Sequence, residues 1–160
     1  MHNFRFFVLA LLISSPLVAD DSGSGSEEFQ RCAACHLPTG EGVPGAFPPL
    51  KNRVAALASK PEGRAYLVAV VNVGLMGSIT VDGMPYMGVM PAQGSSYDAQ
   101  GISRVLNYSV QVVDAENTSA DWKSFSVEEV ESLLESGGAS NGQETMALRN
   151  TLLAKYPELQ

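Results

Sequence analysis

The sequence predicts an all-α protein in which short helices alternate with loops rich in glycine and proline. Three observations support this fold class. Apolar residues recur at helical spacing in several segments, capping residues precede those segments, and residues 37–50 and 74–94 contain too much glycine and proline for regular helix. We therefore expect helices joined by ordered loops.

The N-terminal segment is predicted to be an export signal and not part of the fold. Arg5 gives a positively charged start, residues 6–13 form an unbroken apolar run, and Ala19 suits signal cleavage. A membrane-spanning helix needs about 20 apolar residues, so this run is too short to span a bilayer. We predict a cleaved signal peptide over residues 1–19, with an uncleaved N-terminal anchor as the alternative.

The remaining chain of roughly 140 residues has the length of about one domain. The formal net charge of the sequence is −7, which argues against nucleic acid or an anionic membrane surface as a partner, because both require a basic patch. The most apolar later segment, residues 68–76, is interrupted by Asn72 and Gly74. We expect a periplasmic protein with no nucleic-acid partner and no membrane span after signal cleavage.

The first helix of the mature chain is predicted to begin near Glu27. Ser26 suits the N-cap position, acidic residues favour the first helical turn, and Phe29 is the main apolar contact of this helix. Its end would carry a Cys-Ala-Ala-Cys-His motif at residues 32–36.

Three more helices are expected before residue 113. A short one covers about 52–58, and a firmer one runs from Pro61 to Val73, because proline fits the first helical position and an apolar stripe follows it. After the loop 74–94, Asp98 caps a helix over about 99–111. The loop 74–94 contains Met76, Met84, Met87 and Met90.

Residues 114–160 are predicted to form a helical extension after a main domain of residues 20–113. Ser126 and Glu129 form a capping box at the start of one helix, and Asn141 with Glu144 indicates the start of another. Both helices are amphipathic. We expect them to pack on their own domain, with binding to a partner as the alternative.

The two cysteines of the sequence, Cys32 and Cys35, admit four interpretations. A structural zinc site needs about four ligands, and the motif supplies three at most. A thioredoxin-like pair should follow a β-strand, whereas a Gly/Ser linker precedes this one. A disulfide leaves His36 unexplained. Haem attachment requires a histidine directly after the second cysteine, and two intervening residues match the spacing of the porphyrin vinyl groups, so we favour one covalent haem c.

Once the signal is removed, His36 is the only histidine in the chain. A bis-histidine haem and a second haem of this type are therefore excluded within one chain. The sixth ligand opposite His36 must be a methionine, a lysine, a terminal amine, water or nothing.

With these motifs in place, the sequence resembles a class I c-type cytochrome over about residues 24–111. The resemblance is greatest to monohaem, exported bacterial cytochromes with the ligand loop Val-x-Gly-x-x-Tyr-x-Gly-x-Met-Pro, which spans residues 81–91 here. It implies a cytochrome c fold, with short helices and Gly/Pro-rich loops around one covalent haem, to which the C-terminal helical extension is added.

The resemblance also implies roles for individual residues. Met90 would be the sixth ligand, so that His36 and Met90 would both bind the iron, with Met84 as the second choice. The other methionines would pack against the haem edge. The carbonyl of Pro48 would accept a hydrogen bond from the ring of His36.

Three further residues take expectations from the same resemblance. The first and last helices of the family cross, so Phe29 should meet Leu106 or Tyr108. Tyr86 and Arg53 are candidates to neighbour the haem propionates, although a surface role is equally compatible with Arg53.

The predicted function is one-electron transfer by an electron carrier that is not itself an enzyme. It would act as a soluble carrier or as the electron-accepting subunit of a dehydrogenase, with redox proteins as partners. The alternative is a haem protein with an open sixth position, either peroxidase-like or gas-binding. A non-redox binding domain with a disulfide would leave His36 and the Met90 loop without a role.

Overall fold

The computed structural model describes residues 25–160, so the predicted signal peptide at residues 1–19 lies outside the described part. Six α-helices and one two-stranded antiparallel sheet make up most of residues 25–160. They are α1 (Gly25–His36), α2 (Val54–Ala58), α3 (Pro61–Val73), β1 (Leu75–Val81), β2 (Met84–Met90), α4 (Ala99–Tyr108), α5 (Val127–Glu135) and α6 (Gly142–Lys155). Within this range no helix is both long and apolar enough to cross a membrane.

A β-hairpin replaces most of the loop predicted at 74–94, so the all-α prediction is only approximate. β1 and β2 pair from Leu75 opposite Met90 to Val81 opposite Met84. Asp82 and Gly83 form the connection with φ of 50° and 76°. Positive φ at both central residues gives a turn whose twist matches that of the paired strands.

The helix boundaries follow the capping residues closely. Pro61 stands at the start of α3, and Gly74, with φ of 80°, ends it. The side chain of Asp98 accepts a hydrogen bond from the backbone N–H of Gly101 at the start of α4. The helix predicted over 99–111 is α-helical only to Tyr108, and a π-helical turn at Ser109–Val113 continues it.

Helices α1 and α4 cross, which places the end of α1 against the core. The rings of Phe29 and Tyr108 lie 5.2 Å apart between centroids, which confirms the expected contact between the first helix and the last helix of the main domain. Glu28 pairs with Arg104 at 2.6 Å. The hydroxyl of Tyr97 donates to the carbonyl of Glu28 at 2.7 Å.

The two C-terminal helices pack on the rest of the chain, as expected. α5 lies against α3 and α4, and α6 lies against α3 and β1. Val130 and Leu152, one from each helix, are among the most deeply buried side chains and join the same core as Phe29. The hydrophobic core is therefore continuous across residue 113.

Arg64 of α3 holds the segment that leads into α5. Its guanidinium lies 3.7 Å from the ring centroid of Phe125 and pairs with Glu129 at 2.5 Å. It also donates to the carbonyls of Lys123 and Ser124 at 3.0 and 3.3 Å. One half-buried side chain thus combines a cation–π contact, an ion pair and backbone hydrogen bonds.

Candidate functional site

The C-terminal turn of α1 carries the Cys-Ala-Ala-Cys-His motif into the interior. Leu37, with φ of 65°, ends the helix, and its N–H donates to the carbonyl of Ala33. The chain then turns back, and the N–H of Gly42 donates to the carbonyl of His36 at 2.9 Å. His36 thereby lies between the helix and the loop that follows it.

His36 is only 7% exposed, and its ring is oriented by one hydrogen bond. Nδ1 lies 2.7 Å from the carbonyl oxygen of Pro48. A carbonyl can only accept, so Nδ1 carries the hydrogen and the neutral ring keeps an unprotonated Nε2. Burial lowers the pKa of His36 and the Pro48 hydrogen bond opposes that shift. The arrangement favours a neutral imidazole of fixed tautomer, which is the form that binds metals.

The loop that supplies the Pro48 carbonyl is held by a close backbone approach at Gly42. Gly42 has φ of 67°, and a Cβ there would lie 2.4 Å from the carbonyl oxygen of Phe47 and 2.7 Å from that of Pro48. The N–H of Val43 donates to the Phe47 carbonyl at 2.8 Å. Only glycine combines this conformation with this proximity.

Cys32 and Cys35 are half-buried and are not joined to each other by a disulfide. They lie three residues apart on α1, so they share one face of the helix. Burial raises the pKa of the Cys32 thiol to about 11, which keeps it protonated at neutral pH. Among residues 25–160 no three His, Cys, Asp or Glu side chains gather in a way that could hold a metal ion.

A cavity of about 230 Å³ separates the end of α1 and the following loop from the β-hairpin. We call it the site cavity. Its lining is mainly apolar, and two of its hairpin positions are glycines, which leave the wall flat. It is lined by Cys35, His36, Ala46, Phe47, Pro48, Leu75, Gly77, Ile79, Tyr86, Met87, Gly88, Val89, Met90 and Pro91.

The four methionines of the hairpin differ in their exposure and in whether they line the site cavity. Met90 is half-buried at the end of β2 and lines the site cavity together with His36. Met87 also lines it but is 79% exposed. Met84 begins β2 beside the turn, at the opposite end of the hairpin from Met90, and neither it nor Met76 is part of the lining. Met90 therefore lines the same cavity as His36, and Met84 does not.

The residues around the site cavity fit a covalently held haem. Two thiols lie on one helical face, a neutral imidazole directs its free nitrogen away from Pro48, and a thioether lies on the same cavity as the imidazole. A histidine nitrogen with a methionine sulfur is one of the ligand sets with which proteins bind haem iron. Cys32 does not itself line the cavity.

A second, smaller cavity adjoins the first and contains a residue that the sequence analysis missed. This side cavity has a volume of about 80 Å³ and shares Pro48 and Ile79 with the site cavity. Arg53, named as a candidate, lines it, and so does Arg149 of α6. The sequence gives one indication that Arg149 has no ion-pair partner on its own helix. No acidic residue lies three or four positions from it, where such a partner would be placed.

Comparison with known proteins gives a consistent result. The family model for cytochrome c matches residues 23–112. Two curated relatives, both named cytochrome c-552, come from Thermus thermophilus, the second from a specified strain of that species. Each is 40% identical over 109 residues, which is 68% of this chain and 82% or 73% of the relative.

Proposed function

The chain belongs to the cytochrome c family and binds haem c covalently, and from this premise we propose that it carries single electrons between redox proteins with His36 and Met90 as axial ligands. The observation that carries the proposal is the site cavity, which His36 and Met90 line together. Family membership makes the chain an electron-transfer haem protein. The ligand pair and the carrier role are our additions.

Each residue of the motif has a separate task in this proposal. Cys32 and Cys35 form the thioether bonds that fix the haem to α1. His36 would hold the iron through Nε2, because the hydrogen bond from Nδ1 to Pro48 fixes the orientation of the ring. When bound, the haem supplies a one-electron couple between Fe(II) and Fe(III).

Met90, as an iron ligand, would contribute to which oxidation state is favoured. Its thioether is neutral and soft, so together with a neutral imidazole it favours Fe(II) and raises the reduction potential. The backbone on both sides of Met90 is held, because Met90 pairs with Leu75 in the hairpin. The carbonyl of Met90 also lies against Gly74, where a Cβ would approach it to 2.3 Å. This backbone anchoring would hold Met90 in one position in both oxidation states of the haem.

The apolar lining supports the carrier role at the protein surface. Phe47, Met87 and Val89 line the site cavity and are also exposed, by 40%, 79% and 62%. Exposed apolar side chains grouped at one opening are typical of a docking surface. We propose that redox proteins dock there, that the protein is exported to the periplasm, and that it acts as a free carrier or as the electron-accepting subunit of a dehydrogenase.

The near-infrared spectrum of the purified oxidised holo-protein tests the ligand pair. A weak charge-transfer band from methionine sulfur to Fe(III) is expected in the wild type and should be lost in Met90→Ala. Met84→Ala and Met87→Ala are matched controls on the same strand and should keep the band. If the wild type lacks the band and its reduced form binds CO readily, the sixth position is open and the carrier proposal is wrong.

A further inference from the structure

Arg149 stands out among the partly buried arginines of residues 25–160 because it has no carboxylate partner. Arg53, Arg64 and Arg104 each form an ion pair. Arg149 is half-buried, and its guanidinium donates to the backbone carbonyl of Thr80 at 3.1 Å. A guanidinium has five N–H donors, so most of its hydrogen-bonding capacity is not used by that contact.

The surroundings of Arg149 make this lack of a partner unusual. The chain has 17 acidic against 10 basic residues, so carboxylates are abundant on the surface. A partly buried cation loses hydration and is normally compensated by an anion. Tyr66 is buried, and its hydroxyl is hydrogen-bonded to Arg149. Burial raises the pKa of that hydroxyl, and the charge and hydrogen bond of Arg149 oppose the rise.

The position of Arg149 indicates which anion would compensate it. Arg149 and Arg53 both line the side cavity, and Pro48 and Ile79 form a wall common to this cavity and the site cavity. Pro48 is also the residue whose carbonyl holds His36. Haem is flat and carries two propionate carboxylates at one edge. Haem bound against this wall would need a cation to neutralise that edge.

We propose that Arg149 of the C-terminal helix α6 binds a haem propionate, with Arg53 as the second cation at the same edge. This inference rests on covalent haem binding and not on the carrier role. Arg53 is already engaged by Asp82 and by the carbonyl of Gln160, whereas Arg149 has donors to spare. The proposal gives the helical extension a direct part in the haem site, at a position that no sequence motif marks.

The proposal predicts an electrostatic effect on the haem. A cation beside the cofactor disfavours the additional positive charge of Fe(III), so loss of Arg149 should shift the midpoint potential to lower values. It should also change the environment of one propionate directly, because a guanidinium–carboxylate contact is a charge-assisted hydrogen bond of fixed geometry. Lysine supplies the charge without the planar fork, so Arg149→Lys should give an intermediate result.

The test compares holo-proteins of wild type, Arg149→Gln, Arg149→Lys and the control Lys155→Gln. Lys155→Gln removes the same charge from the same helix at a more exposed position, where it pairs with Glu62. Redox-induced infrared difference spectra, recorded with isotope-labelled haem propionates, should show shifted propionate bands in Arg149→Gln and unchanged bands in Lys155→Gln. The midpoint potential should fall more in Arg149→Gln than in the control.

Two results would overturn the inference. Propionate bands that are the same in wild type and Arg149→Gln would exclude the contact. Equal shifts of the midpoint potential in Arg149→Gln and Lys155→Gln would show that Arg149 acts only as a distant charge and not through a propionate contact. If Arg149→Gln fails to incorporate haem, the comparison of Arg149→Lys with wild type gives the same decision. Failure of the carrier proposal would appear in the wild type, as absence of the near-infrared band from methionine to Fe(III). The propionate bands could still be compared in that case, so the two tests are independent.

Discussion

Asp114 offers the sharpest test of how the fold supports the haem site. Its carboxylate is 1% exposed and accepts hydrogen bonds from the backbone N–H groups of Asn52 and Ala55 at 2.7 and 2.9 Å. It also accepts one from the side chain of Asn117 at 2.7 Å. These contacts fix the start of α2 and the loop after Pro48 to the turn that follows α4.

Asp114→Ala should lower the free energy of unfolding by about 3 kcal/mol. A buried donor left without an acceptor costs about 1–3 kcal/mol, and the N–H of Ala55 is such a donor. Asn52 and Asn117 are exposed residues, so water replaces part of what they lose. Asp114→Asn keeps one acceptor oxygen and should cost roughly half as much.

Guanidinium unfolding of the holo-protein, followed by circular dichroism, measures this loss. The midpoint should fall while the slope with denaturant stays constant, since no change in compactness is involved. Glu116→Ala is the matched control, because it removes an exposed carboxylate two residues away and should change stability by less than about 0.5 kcal/mol. A wild-type midpoint for Asp114→Ala would refute the assigned role.

Three further predictions concern the site loop, the C-terminal segment and the haem itself. Gly42→Ala should lower the free energy of unfolding by about 2 kcal/mol more than Gly45→Ala, measured by denaturant unfolding. Both glycines have positive φ, but only Gly42 has no room for a Cβ beside the Pro48 carbonyl. Equal losses of stability in the two variants would contradict the close backbone approach at Gly42. Arg64→Ala should lower the free energy of unfolding by about 2 kcal/mol, because it removes the half-buried ion pair with Glu129 and the cation–π contact with Phe125. A loss below about 0.5 kcal/mol would contradict the stabilising role of these contacts. Haem-free protein should lack the native tertiary fold because the apolar walls of the site cavity lose their contacts, and a calorimetric transition that matches the holo-protein would contradict this.

Local signals predicted the helices well. Pro61 and Gly74 bracket α3 in both the sequence and the structure, because proline and glycine act through backbone geometry alone. Ser126 accepts a hydrogen bond from the N–H of Glu129, which is the N-cap half of the predicted capping box, while the Glu129 carboxylate binds Arg64. Capping depends on residues within one turn, so it can be recognised without knowledge of the tertiary structure.

The hairpin was missed because its strands carry a weak alternation. Glycines and exposed methionines interrupt the apolar pattern, and only a few of its positions are buried. The Asp82-Gly83 turn was a usable signal, since an Asp-Gly pair between two seven-residue segments favours a two-residue hairpin connection. In the sequence this signal was outweighed by the number of glycines and prolines around it.

The site was predictable only where a motif defines it. The C-x-x-C-H spacing identifies Cys32, Cys35 and His36, because covalent haem attachment constrains consecutive residues. Arg149 has no such constraint, since it reaches the side cavity through the packing of α6 on α3 and β1. The neighbouring sequence shows only that Arg149 has no acidic partner on its own helix, and it does not show which cavity the side chain reaches. The π-helical turn after Tyr108 was unpredictable for the same reason.

The contact between β1 and α6 has a consequence for the order in which the molecule is completed. Gly142 lies so near the backbone of Met76 that a Cβ would approach its nitrogen to 2.9 Å, so α6 supports the hairpin directly. A two-stranded hairpin alone is marginally stable in water. The helix α1, which carries the attachment motif, precedes both β2 and α6 in the chain. In our proposal, haem attachment on α1 therefore needs no support from α6, whereas the placement of Met90 depends on α6 through the hairpin.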